Sequence, residues 1–334
     1  DVCSSDLEGM RSLKRWLFLG VVLGFLGIFG VLLVQDRLVI LASKKAILWE
    51  QPPSHLGLGK QLRYSPVSPW LGSCFVGRIG NVLFQYFSGV GIARRNQMKM
   101  CFCPSSASTF QKILRLPSPP VCPSDLQFTD VREKHYAIYE NVSLVQDTKL
   151  IGYFQSFKYF PADLSPKWVR ENLVAGAVSR ARRVFNEVSR EKTYTYVGMH
   201  VRRGDHVTMA SPYLRFPSNA YFNASMNYFR EKYPDSVFMV ASDDIGWCKS
   251  QAVFQNHDVH YIETGDALSD FATLAYSNHI IMSLGSFSWW VAYLSQGEVI
   301  YQPEFVIDHP VNAGNVLLAD YYPSNWKNMD KAVI

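Results

Sequence analysis

The chain has 334 residues, 48% hydrophobic and 18% charged, which is enough for one large or two medium globular domains and too apolar for disorder. Its net charge of +5, with no long Lys/Arg block beyond the N-terminal region, excludes a nucleic-acid footprint and suits a small anionic ligand or a basic membrane flank.

In chain order, residues 1–15 form a short basic tail in which Met10, followed by Arg-Ser-Leu-Lys-Arg-Trp, reads as a natural start; residues 1–9 then read as an artefact. Residues 16–34 are uncharged and apolar throughout, and a helix of that length spans roughly 30 Å of hydrocarbon. The stretch is longer than the apolar core of a cleaved signal peptide, so an uncleaved anchor is expected. Arg11, Lys14 and Arg15 precede it, which keeps the tail cytosolic and sends the rest to the lumen; Lys44 and Lys45 oppose this weakly. Two tripeptides, Asn141-Val142-Ser143 and Asn223-Ala224-Ser225, are glycan acceptors that agree with a luminal body. Five cysteines follow the anchor, at 74, 101, 103, 122 and 248; some should pair in an oxidising compartment, and an odd count leaves at least one unpaired or intermolecular.

Residues 35–70 read as a stem, with Pro52, Pro53, Pro66, Pro69, Gly57 and Gly59 and no sustained periodicity. A first α/β domain is expected over 71–190. It opens with a strand at 73–76, a glycine turn at 77–81, a helix at 82–95 and a strand at 98–102, and ends near an amphipathic stretch at 166–190. The second, over 191–334, alternates strands at 194–202, 236–242, 258–263, 279–284 and 298–302 with helices at 218–233, 245–255, 267–277 and 286–296. Apolar strands separated by helices specify a parallel, doubly wound sheet, which binds ligands at the carboxyl ends of its strands. The expected fold is therefore α/β, with two Rossmann-like domains facing across a cleft.

The strand ends carry the candidate chemistry. Alternation along 194–202 puts His200 and Arg202 on one face and Arg203 on the other. Arg202 can then reach a phosphate with its planar fork, while Arg203 pairs locally, with Asp205 as a neighbouring candidate. The triplet Arg203-Gly204-Asp205 could also be an adhesion signal, but it continues a core strand without the spacer that an exposed loop tip needs. Asp243 and Asp244, after strand 236–242, can hold a ribose or base, bind a divalent cation, or cap the next helix. The metal-free reading is favoured because Arg202 already supplies positive charge. Gly285-Ser286-Phe287-Ser288 opens a helix whose free N–H groups and hydroxyls make an anion site. Gly77 and Gly80 mark a tight turn whose spacing fails the dinucleotide fingerprint.

Taken together, VGMHVRRGD at 197–205, GRIGNVLFQY at 77–86, GYFQSFKYF at 152–160 and DFATLAYSNHIIMSLGSFSWWVAYLSQGEVIY at 270–301 resemble the galactoside α-1,2-fucosyltransferase family. The resemblance spans roughly residues 73–303, and its His-x-Arg-Arg-x-Asp element is shared with α-1,6- and protein O-fucosyltransferases. It implies a type II Golgi membrane enzyme of the two-Rossmann-domain type. Such an enzyme transfers fucose from GDP-fucose to the 2-hydroxyl of a terminal galactose, with inversion and without an obligatory metal or other cofactor; a homodimer is an option. By the same resemblance, Arg202 holds the β-phosphate and helps GDP leave, and Asp205 braces the loop. His200, Arg203, Asp243, Asp244, Ser286, Phe287, Gly80 and Asn81 contact the donor. The general base stays open among Asp205, His206, Asp266 and Asp270. The loop at 206–222 has no counterpart in the resemblance, which leaves the acceptor open. Another fucosyl linkage and a silent luminal lectin are the alternatives.

Overall fold

The computed structural model describes residues 67–117, 120–190, 192–204, 216–303 and 316–329. The expected tail, the anchor at 16–34, most of the stem, Asp205 and His206 lie outside them; no described helix is long and apolar enough to cross a membrane.

The first sheet holds β1 (Trp70–Ser73), β2 (Lys99–Phe102), β3 (Thr129–Arg132) and β4 (Thr148–Ile151), all parallel, in the order β2-β1-β4-β3. Helix α1 (Ile79–Arg95) connects β1 to β2, and α2 (Pro104–Gln111) follows β2. The strand expected at 73–76 sits three residues earlier, starting at the last residue of the expected stem. Trp70–Ser73 is the stretch that pairs with neighbours on both sides. Beyond it the chain peels away: Cys74 is bonded to Cys103, and the Val76 N–H donates to Gln85 Oε1 at 3.1 Å. The amphipathic stretch at 166–190 is two helices, α3 (Pro166–Glu171) and α4 (Ala175–Ser189), split where Leu173 bridges to Leu114.

The second sheet holds β5 (Thr195–Val201), β6 (Ser236–Ser242), β7 (Val259–Tyr261), β8 (His279–Ile281), β9 (Val299–Tyr301) and β10 (Lys327–Asn328). All are parallel and run β10-β9-β8-β5-β6-β7, which is the 3-2-1-4-5-6 order of a dinucleotide-binding sheet. Its helices are α5 (Asn219–Lys232), α6 (Ile245–Ser250), α7 (Ala267–Ala275) and α8 (Gly285–Ser295). All seven residues of β5 are buried, as a central strand covered on both faces should be. The helix expected at 245–255 is α6 followed by a 3-10 turn over Ala252–Phe254.

Two devices hold the sheets together. Helix α8 is apolar nearly all round and lies against α1, where the Phe84 ring meets Trp289 at 4.6 Å and Trp290 at 5.4 Å between centroids. The C-terminal segment then crosses back: α9 (Leu318–Tyr321) carries Asp320, which accepts from Lys158 Nζ at 2.5 Å and from the Tyr139 N–H at 2.8 Å, before β10 joins β9.

Disulfides Cys74–Cys103 and Cys101–Cys122 tie β2 to the segments beside it, and Cys248 remains a buried free thiol. Removing the 21-residue link with Cys101→Ser and Cys122→Ser should cost about 3 kcal/mol in urea unfolding, since that loop is then open in the unfolded chain. Glu298 reports on the rear of the second sheet. Burial raises its pKa, but hydrogen bonds from Lys232, Tyr233 and Tyr228 outweigh this and bring it to about 2 from the ordinary 4.5. A lowered carboxylate pKa adds stability above the unfolded value that is lost as pH falls through the folded one. The urea midpoint of Glu298→Gln should lie below that of the unsubstituted protein above pH 4.5, and the gap should close as pH falls toward 2.

Candidate functional site

Both sheets present a strand-order switch point to the same space. In the first it lies between β1 and β4, in the second between β5 and β8. A cavity of about 730 Å³ opens there, lined from the first sheet by residues 77–81, Tyr136, Tyr153 and Gln155. From the second come His200, Arg202, residues 241–243, 265–267, Asp270 and 284–287. Every contributing loop follows the carboxyl end of a strand or its flank, as a doubly wound sheet requires.

Two helices begin at this cavity, and neither has a side-chain cap. The side chains of Arg78 at the start of α1 and Leu284 at the start of α8 accept no N–H, whereas α5, α6 and α7 are capped by Ser218, Asp244 and Asp266. Uncapped N–H groups and two positive dipole ends at one place favour an anion. The two starts nearly touch: a Cβ on Gly80 would run into the Ser286 carbonyl and lie 2.6 Å from the Phe287 nitrogen, so only glycine fits. Asn81 Oδ1 is the shared acceptor there, taking Ser286 Oγ–H at 2.6 Å and Gln155 Nε2–H at 2.9 Å.

The end of β5 supplies the charge. Arg202 donates from Nη1 to Asp243 Oδ2, and Asp243 Oδ1 accepts the Arg203 N–H at 2.7 Å. The carboxylate thus sets the arginine beside the cavity without filling it. His200 is buried, its ring 4.6 Å from that of Phe287, with Nδ1 unpartnered. Burial first, and the Arg202 charge second, lower its pKa to about 3, so it is a neutral imidazole at physiological pH. At the β7 side, Asp266 caps α7 and pairs with Arg180 at 2.6 Å; the Ser269 hydroxyl and then Arg180 hold its pKa low. Asp270 accepts from Thr264 Oγ1 at 2.6 Å, and burial raises its pKa. Of these two candidate bases, Asp270 is the better proton acceptor.

Of the residues singled out in the sequence, Gly80, Asn81, His200, Arg202, Asp243, Ser286, Phe287, Asp266 and Asp270 share the cavity. Arg203 and Asp244 do not line it. Arg203 points to the other side of the strand end, where its guanidinium stacks on Trp247 at 3.8 Å and meets Asp244 at 3.4 Å, while Asp244 caps α6. The local partner seen for Arg203 is Asp244; Asp205 lies outside the described residues. Residue-by-residue reading missed Arg78, Tyr136, Tyr153 and Gln155. The last two fall directly after β4 in GYFQ, so their signal was a strand end in the noisier first sheet.

The sequence profile described as "Glycosyl transferase family 11" matches residues 109–329. The "Galactoside alpha-(1,2)-fucosyltransferase 1" of Leontopithecus chrysomelas is 30% identical over 248 residues, covering 69% of this chain and 67% of that protein. That of Leontocebus fuscicollis is 29% identical over the same shares. Among solved structures, a mutant of Arabidopsis thaliana FUT1 in complex with GDP is similar at a TM-score of 0.49 and 10% identity, over 72% of this chain and 71% of that one. Fucosyltransferase NodZ from Bradyrhizobium is similar at 0.44 and 13%, over 67% and 92%. With two thirds of its length inside the profile and its switch-point cavity within that span or beside it, the chain belongs to glycosyl transferase family 11.

Proposed function

We propose that the protein transfers fucose from GDP-fucose to the 2-hydroxyl of a terminal galactose, with inversion, in a two-domain cleft of the GT-B kind. The observation that carries this reading is the pair of uncapped helix starts meeting beside Arg202, a site shaped for a diphosphate. The sequence relatives named as galactoside α-(1,2)-fucosyltransferases supply the sugar and the linkage.

In this reading the diphosphate lies at the starts of α1 and α8, and Arg202, oriented by Asp243, donates to it. The acceptor 2-hydroxyl oxygen bonds to the fucosyl carbon as the bond from that carbon to the phosphate oxygen breaks, so that negative charge grows on the departing GDP. Fixed donors already aimed there stabilise that charge more than the bound ground state. The hydroxyl proton passes to a carboxylate, for which Asp270 is a better acceptor than Asp266 at the β7 edge. Neutral His200 keeps an additional positive charge off the carbon side. No metal has a step in this scheme, because Arg202 and the two helix ends supply the positive field.

The apolar stretch 16–34 behind Arg11, Lys14 and Arg15 supports a type II anchor in the Golgi membrane. Two disulfides suit an oxidising lumen, and Asn141 and Asn223 are both exposed, as glycan carriers must be.

Full-length protein supplied with GDP-fucose and a panel of galactosides should release GDP together with an α-1,2-linked product. Sugar binding without product, or a product of another linkage on analysis, would overturn the reading. Arg202→Ala should lower kcat by on the order of 10²–10³-fold while circular dichroism shows the fold intact; substantial residual turnover would remove Arg202 from its role. Turnover should persist in excess chelator, and its loss with recovery on adding a divalent cation would show a required metal.

A further inference from the structure

Charged side chains line the cavity from both sheets, Arg78 from the first and Arg202, Asp243, Asp266 and Asp270 from the second, whereas the part of the wall that follows β3 and β4 carries two phenols, Tyr136 and Tyr153. Tyr136 is 37% exposed and precedes Ala137, which bridges to Val316 and whose carbonyl accepts the Leu317 N–H at 3.2 Å. Tyr153 is half-buried. Tyr136 and Tyr153 lie within electrostatic reach of one another and of Glu133.

This wall is held rather than draped. Glu133, just past β3, accepts the Tyr153 N–H on Oε2 at 2.8 Å and the Gln155 N–H on Oε1 at 3.2 Å. It also occupies the space beside Gly152, whose φ of +144° and whose absent Cβ, which would collide with the Glu133 Cβ, admit glycine alone. Gln155 then ties the wall to Asn81 and so to the start of α1. A pyranose ring has an apolar face of C–H groups and a rim of hydroxyls, the complement of aromatic faces carrying phenolic O–H groups.

We propose that Tyr136 and Tyr153 form the acceptor subsite, a seat for one neutral pyranose ring, with Glu133 as the positioning residue that holds it. The proposal rests on the reading that the nucleotide sugar lies at the starts of α1 and α8 beside Arg202.

The test uses full-length protein, GDP-fucose and phenyl β-D-galactoside. Tyr136→Ala and Tyr153→Ala should each raise the acceptor KM at least about tenfold, with the GDP-fucose KM moving less than about threefold. Tyr153→Phe should recover most of the loss, and Glu133→Gln should shift the acceptor KM in the same direction as Tyr153→Ala. Equal shifts in both KM values would make the tyrosines part of the donor site and overturn the proposal, as would an unchanged acceptor KM. Saturation-transfer NMR of the galactoside without donor separates the two readings. Signal in the unsubstituted protein that is lost in the alanine variants upholds the subsite even if GDP-fucose is not turned over. Equal signal in all of them sinks it even if GDP-fucose is. Should Tyr153→Ala fail to fold, the more exposed Tyr136→Ala decides by the same measurements.

Discussion

The contact on which the site depends is the approach of two helix starts, Gly80 against the backbone of Ser286. A side chain of any size there would force α1 and α8 apart, and three things would go with them. Asn81 Oδ1 would lose the Ser286 hydroxyl; the Phe84 ring would leave Trp289 and Trp290; and two uncapped helix starts would no longer share one space. Packing energy from the aromatic cluster thus holds two like dipole ends together, an arrangement that electrostatics alone opposes until an anion sits between them.

Burial does a second job on the second-sheet side. Water is kept from His200 by Phe287 and the strand neighbours, so the imidazole stays neutral beside a permanent cation. Asp243 meets that cation from the other side. The net field at this end of the cavity is therefore set by how far Asp243 offsets Arg202.

The second sheet was legible because its signals are local. Strands apolar on both faces alternate with helices, and the period-2 rule correctly split Arg202 from Arg203, although it could not find Trp247 and Asp244 as the partners of the latter. The uncapped helix start at Ser286, which lines the cavity, was visible as a glycine and two serines. The first sheet was harder because its strands are four residues long and take their identity from pairing: Trp70–Ser73 is a strand through β2 and β4, not through its own pattern. The tyrosine wall was invisible for the same reason. Tyr136 and Tyr153 lie 17 positions apart, and the segments that carry them are brought together by the pairing of β3 with β4, continued by the Glu133 carboxylate accepting the Tyr153 N–H.

The crossing of the C-terminal segment also fixes an order of events. Residues 316–329 leave the ribosome after all the rest of the described structure, yet they supply the last strand of one sheet and, through Asp320, the clamp on Lys158 and Tyr139 of the other. Each sheet can gather its earlier strands during synthesis, but the two are joined through Asp320 and β10 only once this last segment has emerged.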